Sequence, residues 1–176
     1  MFKGTKDQIT KYARRYDECA KAKPQDKIIE EEMKDLLDKR GKQKWIGKDE
    51  LIKIADWKAP GRIRHLCDKN EREEIKNITR KALAVNTDHR ARTDHLLKLH
   101  GVRYPMASVI LHFAFPHEYP ILDRRAIWSL RGEKQLKDSF KDWDKYCKKI
   151  LDIVKSTGCK IREIDKALWQ YSRENQ

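Results

Sequence analysis

Asp123 is the residue in this chain best placed for chemistry. It follows a loop bounded by Pro116 and Pro120 and precedes a short amphipathic stretch, Arg124 to Arg131, that ends at Gly132. An aspartate at a helix head caps the helix, contributing about 1 kcal/mol. His117 and Glu118 lie in the same loop and are candidates for proton movement. Other reactive types lack useful spacing. The four cysteines, at 19, 67, 147 and 159, form no Cys-x-x-Cys pair. His95 and His100, like His112 and His117, are five apart and miss the spacing that places two ligands on one helix face. No side-chain metal site and no cofactor are expected, and the thiols are expected to be reduced.

Charge points to a class of partner. The 176 residues include 41 Lys and Arg against 28 Asp and Glu, a net charge of +13. The charge is unevenly spread, for Leu99 to Leu130 holds only three basic and two acidic residues. Two acid-free stretches stand out. Lys39 to Lys48 carries Lys39, Arg40, Lys42, Lys44 and Lys48 around Trp45, and Trp57 to Cys67 carries Lys58, Arg62, Arg64 and His65 around Pro60-Gly61. Basic loops interleaved with aromatics suit a phosphate backbone, whereas most lysine runs are simply solvated surface. With 39% of residues hydrophobic, a disordered polyelectrolyte is excluded. The longest near-apolar stretch, Ala107 to Phe115, is far short of a membrane span, so no membrane partner is expected. The expected setting is the cytoplasm, nucleoid or nucleus, without secretion.

The elements that must position these residues read as helices. Stripes at helical spacing run from Thr5 to Pro24, through Ile28 to Leu37 with a stop at Gly41, and from Leu51 to Trp57. Others cover Glu71 to Val85, Asp88 to His100, Leu136 to Ser156 and Ile161 to Tyr171. No strand-like alternation persists beyond a few residues. The expected fold is all-α, one helical domain over residues 1–176, and a monomer.

The stretch Leu99 to Leu130 is the most specific. A helix ending in Leu96-Leu97-Lys98-Leu99 gives way to a short turn containing Gly101, and a second helix starts near Pro105, a residue suited to a first helical turn. Helix, glycine turn, helix is the helix-hairpin-helix pattern, whose backbone N–H groups suit a phosphate oxygen. This block, about residues 88–131, resembles the helix-hairpin-helix superfamily of base-excision DNA glycosylases. Leu99, Gly101, Val102 and Ala107 fall on the family's hairpin pattern. Asp123, 22 residues beyond Gly101, falls where the resemblance places the catalytic acid.

Three departures qualify the likeness. Arg103 replaces the hairpin's second glycine. Pro105 stands where bifunctional members carry a lysine nucleophile, so no Schiff base can form there. The four-cysteine cluster of some relatives is missing. The resemblance therefore implies a DNA-glycosylase-like fold and a monofunctional, metal-free N-glycosylase of base-excision repair. It would act on duplex DNA with a flipped base, using Asp123 to stabilise the sugar cation or activate water. Gly101, Val102, Arg103, Lys42, Lys44, Arg62 and Arg64 are the candidate backbone contacts. Trp45, Trp57, Lys58, Tyr104 and Trp128 are candidates for a base pocket. A non-catalytic helix-hairpin-helix module that binds nucleic acid, and a protein-interaction domain whose charge serves only solubility, remain as alternatives.

The charge pattern gives a first expected outcome. If six phosphates are neutralised, log K for duplex binding falls against log salt with a slope of about −5. Reversing the charge of Lys42 and Lys44, or of Arg62 and Arg64, flattens the slope in a fluorescence titration. Binding indifferent to salt would exclude the nucleic-acid reading.

Overall fold

Apolar residues recur every three or four positions along most of this chain, and helices form where they do. A computed structural model describes residues 1–20, 25–132 and 138–176. The described residues hold ten helices and no strand: α1 (Lys6–Ala20), α2 (Gln25–Lys39), α3 (Lys48–Lys58), α4 (Arg64–Cys67), α5 (Arg72–Ala82), α6 (His89–Leu96), α7 (Tyr104–Ala114), α8 (Arg124–Arg131), α9 (Phe140–Thr157) and α10 (Ile161–Asn175). The all-α expectation is met. Pro24 and Leu136, expected as the end of the first helix and the start of the penultimate one, lie outside the described residues. No described helix is long and apolar enough to cross a membrane.

The helices fall into two units. Unit two, Gln25–Ala114, holds α2 to α7 and is continuous in sequence. Its centre is α7, which packs against α2, α3 and α6. Every residue of α7 except Pro105 is buried, as a helix apolar on all sides requires. Burial of Val109, Ile110 and Leu111 contributes about 2 kcal/mol each. Two buried polar side chains join its loops. The Thr79 hydroxyl donates to Ile75 O at 2.8 Å and accepts from Ile46 N at 3.1 Å, which fixes residue 46 against α5. The Arg92 guanidinium donates to Ala82 O and Val85 O, at 3.1 and 3.2 Å, and caps the C-terminus of α5. Helix α5 ends at Ala82, short of the expected Val85.

Unit one takes its described residues from the first twenty and from Phe115 onward. Its organising helix is α10, which packs against α1, α8 and α9. Thr5 caps α1 through Gln8 N at 3.4 Å, and Ser139 caps α9 through Asp142 N at 3.2 Å. Gly158, at φ +71°, closes α9 before α10 begins, matching the break read at Thr157-Gly158.

Gly101 and Gly158 make a controlled pair. Both are left-handed, but a Cβ at 158 meets nothing within 4 Å, while one at 101 lies 2.7 Å from Cys67 Sγ and 2.9 Å from Cys67 N. Gly158→Ala should cost about 1–2 kcal/mol for φ alone. Gly101→Ala should cost clearly more, because a backbone atom must also move. Equal costs in chemical denaturation would refute the contact.

Candidate nucleic-acid interface and the Asp123 loop

In unit two, α6 and α7 are joined by a tight turn at Gly101, with one helix boundary moved from the expected place. Helix α6 stops at Leu96 rather than His100, since Lys98 N–H and Leu99 N–H bond to His95 O and Leu96 O, tightening the chain into i to i+3 turns. Val102 N–H bonds to Leu99 O, and α7 starts at Tyr104. Gly101 takes φ +79° at the apex. Leu99, Val102 and Ala107 are buried. Arg103 is exposed, and no residue other than glycine has positive φ among those described, so the arginine fits this turn without the second glycine.

The turn is held from below by a part of the chain that sequence reading took for a loop. Residues 64–67 form the one-turn helix α4, and Gly101 packs on Leu66 and Cys67. Asn70, fully buried, clasps both sides of the contact. Its amide donates to Cys67 O at 2.8 Å and His100 O at 3.0 Å, while its carbonyl oxygen accepts from His100 N at 2.8 Å. Burial pushes the Cys67 thiol up to about 11, so it stays protonated and unreactive at neutral pH. The second acid-free stretch and the Gly101 turn are thereby brought together. Arg62 is exposed beside α4, whereas Arg64 is ion-paired with Asp56.

The first basic stretch lies elsewhere in the same unit. The Lys44 ammonium donates to Ala114 O, the last carbonyl of α7, about 15 Å along the helix from its start at Tyr104. Lys42 is exposed. The Arg40 guanidinium covers the Trp45 ring at 3.4 Å and donates to Trp45 O, with Lys76 5.1 Å from the same ring. Burial lowers the Arg40 pKa. Trp57 donates its indole N–H to Asp26 at 2.7 Å and leans on Phe113, near the same end of α7 as Lys44. Lys58 is half-buried at the end of α3, and Tyr104 is buried at the start of α7. Tyr104 therefore lies about 14 Å along α7 from Phe113, the residue that Trp57 touches.

In unit one, Asp123 is the N-cap of α8, with its carboxylate accepting from Arg125 N at 2.8 Å, and Gly132 ends the helix at φ +72°. Asp123 is half-buried. Trp128 packs 6.2 Å from Tyr171. The loop before Asp123 is pinned by two residues that the sequence analysis overlooked. Ile121 N–H donates to the buried Asp165 carboxylate at 2.9 Å, and the Tyr146 hydroxyl donates to Ile121 O at 3.1 Å. Desolvation above all, then the Asp165 and Asp123 charges, holds the Tyr146 pKa well above its usual value, which keeps the hydroxyl a donor. A carboxylate inside a helix reads as surface charge in sequence, so nothing flagged Asp165. Among the described residues no three His, Cys, Asp or Glu side chains converge as a metal site.

Tyr146→Phe leaves the Ile121 carbonyl buried without its donor. The expected cost is about 1–2 kcal/mol, read as a fall in Tm of about 2–8 °C. An unchanged Tm would mean that the loop does not depend on this bond. No family model, no curated protein and no solved structure matches this chain.

Proposed function

We propose that this chain binds duplex DNA through its hairpin and releases a flipped base by hydrolysis, with Asp123 as the catalytic carboxylate. The observation that carries the reading is the Gly101 turn at φ +79° between α6 and α7, with Arg103 exposed beside it and α4 beneath it. The start of a helix presents N–H groups that a phosphate oxygen complements. The net charge of +13 supports an anionic partner.

Release of a base breaks the bond between the sugar C1′ and the base nitrogen. The electron pair leaves with the base, positive charge builds on the sugar, and water adds at C1′ with loss of a proton. A half-buried carboxylate held at a helix head is suited to facing that charge and accepting that proton. The expected product is an intact strand with an abasic site, because Pro105 supplies no amine for strand cleavage.

A second reading is favoured by the Asp123 contact itself. Its bond to Arg125 N is a complete capping interaction and needs no catalytic role, which would leave a non-catalytic nucleic-acid-binding module.

Asparagine caps a helix nearly as well as aspartate but lacks the charge. Asp123→Asn should keep its fold and its duplex affinity, and release base about a hundredfold to a thousandfold more slowly from a panel of lesion-bearing duplexes. Retention of most activity would assign Asp123 to capping alone. A wild type inactive on the whole panel, yet bound to duplex, would favour the non-catalytic module.

A further inference from the structure

Unit one carries a cluster of cations on aromatic rings that neither the hairpin nor Asp123 uses. Tyr16 of α1 and Trp169 of α10 meet edge to face, 5.4 Å between centroids. The Arg125 guanidinium from α8 lies 5.3 Å from the Trp169 ring centre, and Arg173 of α10 lies 5.7 Å from it. Arg162 and Lys166 each stand 5.7 Å from the Tyr16 ring. Lys166 is already paired with Asp17 at 2.8 Å. The ion pairs described in this unit engage Arg14, Arg15, Lys148 and Lys166, and not Arg125 or Arg173. Arg173 is exposed, while Arg125 and Trp169 are half-buried.

Two guanidinium groups on one indole repel each other, and an arriving anion would relieve that repulsion. The ring also restricts both side chains beforehand, so less freedom is lost when they bind. Guanidinium forks match phosphate oxygens two at a time. The two groups stand 5.3 and 5.7 Å from one ring centre and so at most about 11 Å apart, a span that phosphates along one strand can bridge. A lipid surface fits less well, because a membrane-bound face presents large apolar side chains. The exposed large apolar residues among those described are Met1, Ile28 and Val85, none of them on α8 or α10.

We propose that Arg125 and Arg173, set on Trp169, form a second phosphate-backbone contact for nucleic acid, separate from the hairpin. The proposal rests on the nucleic-acid-binding reading given above.

The test uses the full chain and a fluorescent duplex of mixed sequence, titrated at several salt concentrations. Arg125→Gln with Arg173→Gln should weaken binding at least tenfold at low salt and make the salt slope shallower by about 2, since each phosphate left without its arginine removes about 0.9. Lys27→Gln with Lys34→Gln changes net charge equally at two exposed lysines of α2 and should leave the slope unchanged. Trp169→Leu keeps both charges, and should weaken binding severalfold with little change in slope. If that variant unfolds, the two paired glutamine variants decide. Equal effects of the two pairs would reduce the result to net charge and overturn the proposal.

An Arg103→Gln variant separates the two readings. If it loses affinity while the Arg125 and Arg173 pair does not, the hairpin reading survives and this surface is refuted. Failure of the wild type to bind duplex at low salt would overturn both. Binding to vesicles containing anionic lipid, abolished by Arg125 and Arg173 substitution with no binding to duplex, would replace nucleic acid with a membrane and also overturn the proposal.

Discussion

A side chain at position 101 would overlap the backbone nitrogen of Cys67, and much of unit two follows from that exclusion. Without a Cβ, the turn between α6 and α7 settles directly on the end of α4. Asn70 then satisfies the polar groups that such a close backbone approach would strand from water. Because Val102 and Leu99 are buried on either side of the glycine, the turn is anchored by apolar contact as well as by hydrogen bonds. The start of α7 is thus set by a part of the chain distant in sequence. The apolar helix then runs inward from that point, and α2 and α3 pack along it.

Unit one solves a comparable problem with side chains rather than with a missing one. The segment Pro120 to Leu122 is buried but irregular, so its backbone polar groups need partners from outside a helix. Tyr146 and Asp165, from α9 and α10, supply a donor and an acceptor to the two sides of Ile121. Each comes from a helix that carries its own apolar face, so the loop inherits the rigidity of the packed helices. Asp123 emerges at the end of this segment with its backbone direction already set.

Legibility in the sequence divides along the same line. Local chemistry could be read: the Asp123 and Gly132 limits of α8, the Gly158 break, and the turn at Gly101 all rest on cap or turn preferences within a few residues. Contacts set by packing could not. Helix α4 is too short to show a period, and Asn70 looks like any loop asparagine until its three bonds are seen. Charge counting treats Lys44, Arg64 and Arg40 alike, yet each is committed to a carbonyl, a carboxylate or a ring. Residue type alone groups Trp57 with Tyr104, while in the fold Trp57 leans on Phe113, at the other end of α7 from Tyr104. Arg103 is the reverse case. Sequence raised the question of strain, and the backbone answers it.

The interleaving of the two units bears on how the chain acquires its structure. Asp17 and Lys166, which pair in unit one, are 149 residues apart, whereas the Thr79 bond to Ile46 in unit two spans 33. During synthesis at about 5–20 residues per second, α1 waits roughly 7 to 30 seconds for the helix that will cover it. Through that interval Ile9 and Ala13, both buried in the finished protein, have no native partner on α10. The shorter loops of unit two close first, because non-local contacts form only after a larger loss of chain entropy. Maturation of the α1 and α10 interface is therefore the late step, and the newly made chain is most exposed to aggregation or chaperone capture along α1.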